Sequence, residues 1–497
     1  MSSNQSNYRS IFKATAILGS VQLFTIIIGI IRNKIVSILL GPAGMGIVGL
    51  FQSTISTITG FSNCGLTSSA LKNISLAYEQ QDMTNLGKVV FVIKRLLWTT
   101  GLLGAVICLI MSKQLSIWTF GSDEFTYSYC WLSIALILKQ LTDGNYMIIK
   151  CCRQIRMFAK ANVIGNFLSL FITVPLYYIW GVNAIVPVFI FLGLSTFLVS
   201  FYYERRLNIK EEKVQKVEFK EISLDIFKIG IAVAFAGVLP DCLAYYLRIF
   251  ISSRGGIADV GLYTAGFTIL NTYVGMIYTS MSTDYIPRLS AVVNDNSACQ
   301  DVMNRQVRIA SMLLLPILTL FIVFSKILVA ILYTEQFYPM VGMMMWGAVG
   351  CFLQSTDWIM GNLFVPKRDT KVYLCMNWIT ATFIIISNLS CYLLWGLTGL
   401  GISLIFIHLF GIITCSIYMR WRYNIRYEKD VIQINSYGFA FFLFLLFVNR
   451  TEFLPNYLVL ITNTILIITV CLYSYKKLNI YMDFNSFIRS KIKKQKH

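Results

Sequence analysis

Apolar runs of about twenty residues recur along the whole chain, separated by short polar breaks. That is the length of helix needed to cross ~30 Å of hydrocarbon. The pattern predicts fourteen spans. Spans 1 to 6 cover 14–40, 46–71, 88–112, 126–149, 158–180 and 182–203. Spans 7 to 12 cover 225–252, 260–286, 306–333, 339–365, 372–395 and 400–419, and spans 13 and 14 cover 434–448 and 456–474.

The first two spans return later in the chain. Gly41-Pro42 ends span 1, and Gly46 opens span 2. At an offset of 215, Gly46 falls on Gly261, Ser53 on Thr268, Ser56 on Asn271, Gly60 on Gly275 and Thr67 on Ser282. Arg32 falls on Arg248 if one residue is gapped in the turn. Six spans, an even number, separate the copies, so the two halves run parallel; in membrane chains such halves commonly enclose a transport path. The expected fold is an all-α integral membrane protein of about fourteen transmembrane helices. Two parallel six-helix repeats plus two C-terminal helices form two lobes around a central cavity. The expected divisions are an N-lobe at 1–203, a charged linker at 204–224, a C-lobe at 225–420, the extra helices at 421–475 and a basic tail at 476–497.

Composition fits a membrane chain: 56% hydrophobic and 13% charged residues. The net charge of +19 suggests nucleic acid until its placement is considered. Lysine and arginine crowd alternate loops, among them Lys150, Arg153, Lys160, Lys367, Lys371, Arg426 and Lys429. The opposite loops hold only Lys113, Arg254 and Arg450. This positive-inside bias places both termini in the cytosol. The linker reads either as an amphipathic surface helix or as a solvated tether. The twelve cysteines lie mostly in apolar runs without metal or redox spacing and read as small apolar fillers. The first apolar run lacks a small-residue cleavage site, so it is expected to stay as span 1.

Ionisable groups inside spans are costly and usually face an interior cavity. Here they are Arg32, Lys34, Lys94, Arg95, Lys139, Asp143, Asp241, Arg248, Asp284, Lys326, Asp357 and His408. Many lie on polar faces at helical spacing. Gln22, Thr25, Gly29 and Arg32 share a face of span 1, and Ser53, Ser56, Gly60, Asn63 and Thr67 a face of span 2. Asp241, Tyr245 and Arg248 share one in span 7, and Gln354, Asp357 and Gly361 one in span 10. Lys139 and Asp143 stand one turn apart. These faces imply a central, water-accessible, net cationic cavity. Small-residue stripes are also what close helix packing requires, but packing does not account for arginines at matching places in the two repeats. Lys34, Lys94, Arg95 and Lys326 read as snorkelling side chains. Asp284 reads as a partner for Arg288, and His408 as a buried, hydrogen-bonded histidine. Lys139–Asp143 and Asp241–Arg248 read as ion pairs, leaving Asp357 the least obviously paired acid. Pro175, Pro240 and Pro316 are expected to kink their helices.

No nucleotide phosphate loop and no zinc-protease motif occurs in the sequence, and no loop is long enough to fold as a soluble domain. Work must then come from an ion gradient, the membrane potential or the substrate's own gradient. No cofactor and no metal is expected.

The run KIVSILLGPAGMGIVGLFQSTISTITGFSNCG, above all L-G-P-A-G-x-G at Leu40–Gly46, resembles the opening of Wzx-type translocases of O-antigen and enterobacterial common antigen. The 6+6+2 plan is similar to the polysaccharide-transporter branch of the multidrug/oligosaccharidyl-lipid/polysaccharide (MOP) exporter superfamily, which includes the multidrug (MATE) exporters. Arg32 also resembles the first-helix arginine lining the cavity of lipid II flippases, although Asn33 stands where that family has an acid. The resemblance implies a non-enzymatic flippase in the bacterial inner membrane. It would move an undecaprenyl-diphosphate-linked oligosaccharide, an O-antigen or capsule repeat unit, to the periplasmic leaflet by rocking two lobes. Its partners would be that lipid-linked substrate, membrane lipid and a polysaccharide polymerase or chain-length regulator; it would be a monomer and bind no nucleic acid.

Arginine suits a diphosphate, so Arg32 and Arg248 are the expected diphosphate ligands. Gln22, Lys139, Ser53, Ser56, Asn63, Asn271, Tyr245 and Gln354 are expected to line the cavity, and Asp143, Asp241 and Asp357 to couple or gate transport. Two other classes compete. A multidrug or cation exporter wants an acidic cavity. A membrane-embedded polymerase or glycosyltransferase wants a large outer loop or a catalytic acidic motif, and the outer loops here are short.

Overall fold

The structure, a computed structural model, describes residues 2–450 and 455–482, with side chains from Val21 onward except at 229, 231–233, 235–236, 273–274, 279–280, 283, 370, 456 and 482. The end of the basic tail, the side chains of Arg9 and Lys13, and that of Thr279 lie outside this description. The regular elements of the described chain are all helices. In order, α1 is Ser2–Asn63, α2 Leu66–Glu79, α3 Met83–Ile110, α4 Ser112–Phe120 and α5 Thr126–Cys151. Then come α6 Ile155–Trp180, α7 Ile185–Arg205, α8 Lys216–Gly255, α9 Ile257–Ala291 and α10 Asn296–Val323. α11 is Ser325–Leu332, α12 Val341–Gly361, α13 Thr370–Tyr423, α14 Lys429–Arg450 and α15 Asn456–Met482. In hydrocarbon each backbone N–H and C=O must find its partner within the segment, and the helix does this.

Eight stretches are long and apolar enough to cross a membrane. Three of them, Val21–Asn63, Ile155–Arg205 and Lys371–Tyr423, run to 43, 51 and 53 residues. At 1.5 Å per residue even the shortest would reach about 65 Å, twice the hydrocarbon core, so each holds two spans. Spans 4, 7 and 10 are the ones this measure omits, and all three are helical in the structure, within α5, α8 and α12. In α5 and α12 polar residues such as Lys139, Gln140, Asp143, Gln354 and Asp357 depress the hydropathy. The count of about fourteen therefore holds for this all-α membrane protein.

The breaks fall at glycines. Within α1 the backbone turns at Gly41 (φ 62°, ψ −171°), and within α13 at Gly396 (φ 57°, ψ −141°). Positive φ is a conformation that glycine adopts without a Cβ penalty. The expected proline kinks are not the breaks: Pro175, Pro240 and Pro316 sit inside the continuous helices α6, α8 and α10. Span 2 also ends earlier than its apolar pattern suggests. Cys64 and Gly65 both have positive φ, and the chain restarts as α2. The linker is neither of the two expected forms throughout. Residues 208–215 are non-helical, and from Lys216 the chain is a helix that continues into span 7 as α8.

The chain divides into two compact units, residues 1–261 with 332–334, and 262–331 with 335–497. The boundary falls after Gly261, so α8 belongs to the first unit. There a buried core of Leu66, Ile74, Val90, Ile93, Leu97 and Ile148 joins α2, α3 and α5, with Ile226 of α8 closing it. The core of the second unit gathers Tyr285, Val307, Met360, Phe364 and Met419. Its arm α13 folds back on itself at Gly396, stacking Phe383 on Phe410 at 4.0 Å. Two polar clasps hold α14 and α15. Arg308 of α10 is only 14% exposed and grips Asp430 (2.8 Å) and Glu428 at the start of α14. Asn449 and Asn463 exchange amide hydrogen bonds at 3.0 and 2.9 Å between α14 and α15.

The repeat is visible as a contact in the first unit. A Cβ on Gly46 would sit 2.0 Å from the Ile257 carbonyl oxygen, and one on Gly261 1.8 Å from that of Pro42. Gly46 and Gly261 are repeat mates, and Pro42 and Ile257 are separated by the same offset of 215. The contact is thus reciprocal, backbone against backbone. Gly46→Ala and Gly261→Ala are expected to destabilise the purified protein by about 1–3 kcal/mol each or more, because a carbonyl cannot swing aside as a side chain can. Gly29→Ala and Gly237→Ala, which meet nothing within 4 Å, should be neutral or mildly stabilising. Thermal unfolding in detergent checks the contrast.

Candidate functional site

The polar face of α1 packs on α6. Thr25 donates to Asn162 Oδ1 at 3.3 Å, and Arg32, half-buried, lies in the electrostatic reach of Tyr177. The α6 face that receives them is itself a polar stripe: Asn162, Asn166, Ser169, Thr173 and Tyr177 recur at helical spacing. The last three are buried, and the Thr173 hydroxyl has no partner among the described residues. Sequence reasoning passed over this stripe because it contains no ionisable group other than the tyrosine, yet its 4, 3, 4, 4 spacing was legible. Among the described residues no carboxylate lies within 4 Å of Arg32. An arginine within a span is costly unless it is paired or reaches water.

A second polar group forms where α5 and α8 contribute. Lys139 pairs with Asp143 at 3.0 Å, as expected, with both side chains more than a third exposed. Asp241 lies in the fields of Lys139 and Arg248, and Arg248 donates to the Ala244 carbonyl at 3.1 Å. Thr57 of α1 reaches the Asp241 carbonyl at 3.4 Å. The structure so gathers Lys139, Asp143, Asp241 and Arg248 in the first unit, while Arg32 sits against α6. Gln22 is exposed and Ser56 half-buried.

Other expected cavity residues are already engaged. Ser53 is buried and back-bonds to the Gly49 carbonyl at 2.8 Å. Thr268, its repeat mate, does the same to Thr264 at 2.6 Å. Asn63 accepts from Gln140 (3.0 Å) and donates to Thr67 (2.9 Å) across the α1–α2 break. Gln140 also bonds Thr100 at 3.1 Å. Tyr245 shares a 2.5 Å hydrogen bond with Thr119 of α4. These bonds give those side chains a packing role in this state.

In the second unit Asn271 is exposed and Gln354 half-buried. Asp357 corrects the sequence reading. Expected to be the least paired acid, its Oδ2 lies 2.9 Å from His408 Nδ1, with side chains 20% and 13% exposed. The sequence placed both residues in spans but could not show that α12 and α13 bring them together. Gly411 makes the room: a Cβ there would lie 2.2 Å from Asp357 Oδ1. The other in-span cations are also engaged. Lys94 bonds Glu204 and Glu211, Lys34 the Tyr333 carbonyl, and Lys326 sits 5.2 Å over the Tyr338 ring. Asp284 pairs with Arg288 as expected. Among the described residues no group of three or more metal-ligating side chains occurs.

A family model described as "Polysaccharide biosynthesis protein" matches residues 35–342. The chain belongs to this polysaccharide biosynthesis protein family. Within and beyond that family it is similar to the lipid III flippase of Escherichia coli (strain K12). The two are 18% identical over 424 residues, 83% of this chain and 99% of the relative. Among solved structures it is similar to an inward-facing multidrug resistance MATE family transporter of the MOP superfamily, at TM-score 0.68 and 15% identity over 85% of this chain and 99% of the other. The lipid II flippase MurJ in an inward closed conformation gives TM-score 0.64 and 14% identity over 94% and 99%. The fold of this family member is therefore the MOP transporter fold expected from its 6+6+2 plan. The relatives named here are described as flippases and transporters.

Removing one member of a largely buried polar pair leaves the other without its partner. Asp357→Asn and His408→Asn are expected each to lower stability, and the double variant to cost less than their sum. The coupling in a double-mutant cycle should be about 1–3 kcal/mol. Thermal unfolding of the four proteins at one pH measures it, and additivity within error would remove the pair as a unit.

Proposed function

We propose that this chain is a flippase that carries an undecaprenyl-diphosphate-linked oligosaccharide, such as an O-antigen or capsule repeat unit, from the cytoplasmic to the periplasmic leaflet of a bacterial inner membrane. It works by alternating access and draws on an ion gradient. The observation that carries this reading is Arg32, held within a span beside Tyr177 with no carboxylate within 4 Å among the described residues. A diphosphate supplies the missing anion, and the guanidinium fork matches its oxygens. Family membership and the likeness to a lipid III flippase support the lipid-linked class of substrate. Arg248 and Lys139 add positive charge in the same unit; Gln22, Ser56, Asn271 and Gln354 are proposed to meet sugar hydroxyls.

Coupling falls to Asp143, Asp241 and Asp357, and the geometry separates them. Asp143 is tied to Lys139, and Asp241 sits between two cations. Asp357 faces His408, and imidazole is the side chain that exchanges protons closest to neutral pH. The Asp357–His408 pair is thus the coupling element best supported. A multidrug exporter of the same fold would want a carboxylate free for a cationic drug, and Asp143 and Asp357 are each engaged.

Arg32→Ala is expected to lower translocation by about tenfold or more, the loss of one or two charged hydrogen bonds. Arg32→Lys should retain an intermediate rate, and Lys113→Ala should have none of this effect. The measurement is lipid-linked oligosaccharide left on the cytosolic leaflet in cells expressing each variant equally. Normal surface glycan with Arg32→Ala would overturn the diphosphate assignment. Reporters fused after Lys160, Lys371 or Lys429 should read cytosolic, and after Asp123 or Asn449 periplasmic, following the positive-inside bias.

A further inference from the structure

Lys94 and Arg95 are the in-span cations that the transport site leaves unused. They line a pocket of 720 Å³ at the end of the first unit where α3, the end of α7 and the non-helical strap 208–215 come together. Lys94 is held between Glu204 at 2.8 Å and Glu211 at 2.7 Å. Two further cations face the same space and stack on aromatic rings. The Arg95 guanidinium lies 5.4 Å from the Phe91 ring centre, and that of Arg205 4.6 Å from Phe201. Among the described residues neither has a carboxylate within 4 Å. Stacking uses the face of a guanidinium and leaves its edge N–H groups free for an oxyanion. Glu204 is 3% exposed, and its second carboxylate oxygen has no donor. The pocket thus offers unspent donors for a phosphate and an orphan acceptor for a hydroxyl.

The surroundings say where such a ligand comes from. Trp98 is exposed beside the pocket, the usual place of an indole at a membrane interface. Beyond it Leu102 and Val106 of α3, and Leu198 and Leu194 of α7, are exposed apolar surface for acyl chains. We propose that this pocket binds the headgroup of an anionic glycerophospholipid of the phosphatidylglycerol type. Arg95 and Arg205 take the phosphodiester, and the glycerol hydroxyls donate to Glu204 and Glu211. Basic pockets between transmembrane helices hold anionic headgroups by the same electrostatics. The bound lipid also pins the strap between α7 and α8 against α3.

The full chain, purified in detergent with its helicity and monodispersity confirmed, is offered dioleoylphosphatidylglycerol or dioleoylphosphatidylcholine, and bound lipid is counted by native mass spectrometry. Wild type should retain the glycerol lipid about tenfold over the choline lipid, a difference of one or two charged hydrogen bonds. The double variant Arg95→Gln/Arg205→Gln, which removes the phosphodiester donors, should lower retention of both lipids; Glu211→Gln should reduce the preference, and Lys113→Gln should change neither. Equal retention of the two lipids by wild type overturns the site without reference to any variant. So does undiminished retention in the double variant. Displacement of the lipid by soluble glycerol 1-phosphate at equal concentration would show a free-anion site instead.

Discussion

The first unit contains a reciprocal close approach, the crossing of Gly46 with Ile257 and of Gly261 with Pro42. Without a Cβ on either glycine, two helix starts meet at backbone distance. With one, a carbonyl oxygen stands in the way. Because the contact joins residues related by the repeat offset, each copy supplies both a glycine and a carbonyl. Helices in lipid gain nothing from hydrophobic burial against one another, so association rests on such small-residue contacts and on polar clasps. The crossing sets where α1 resumes after Gly41 and where α9 begins.

Polar clasps account for most of the remaining organisation. Lys94 with Glu204 and Glu211, Arg308 with Asp430 and Glu428, and Lys139 with Asp143 each join cation to anion, and Asp357 meets the His408 imidazole. A charge in an apolar setting is tolerated when it is paired and hydrogen-bonded. Against that background Arg32 stands apart. Its neighbours are a tyrosine and a hydroxyl-bearing stripe, with no carboxylate at contact distance among the described residues. The proposed role of Arg32 rests on this difference from the paired cations.

The pairs divide by exposure into two kinds. Lys139–Asp143 is more than a third exposed on both sides, and such a pair contributes little stability; its use is in setting local charge. Asp357–His408 is mostly buried and depends on the space left by Gly411. A proton arriving there changes a charge that the surroundings do not screen. The cluster around Lys139 and Asp143 is by contrast open to its surroundings.

The sequence by itself determined the class, the number of spans, the repeat and the Lys139–Asp143 and Asp284–Arg288 pairs. These depend on local quantities: run length against membrane thickness, and side chains one helical turn apart. Only the tertiary structure decided the rest. The polar residues Gln140 and Asn145 of α5 are bonded by Thr100 of α3 and Ser200 of α7, partners that run length and helical spacing do not reveal. Asp357 and His408 lie far apart in the chain, and nothing local shows that they meet. Ser53 and Tyr245 read as cavity residues until packing showed their hydroxyls already bonded to Gly49 and Thr119. The α6 stripe was written in the sequence as well, but its importance came only from Arg32 packing against it, because helical spacing says which residues share a face and never what that face touches.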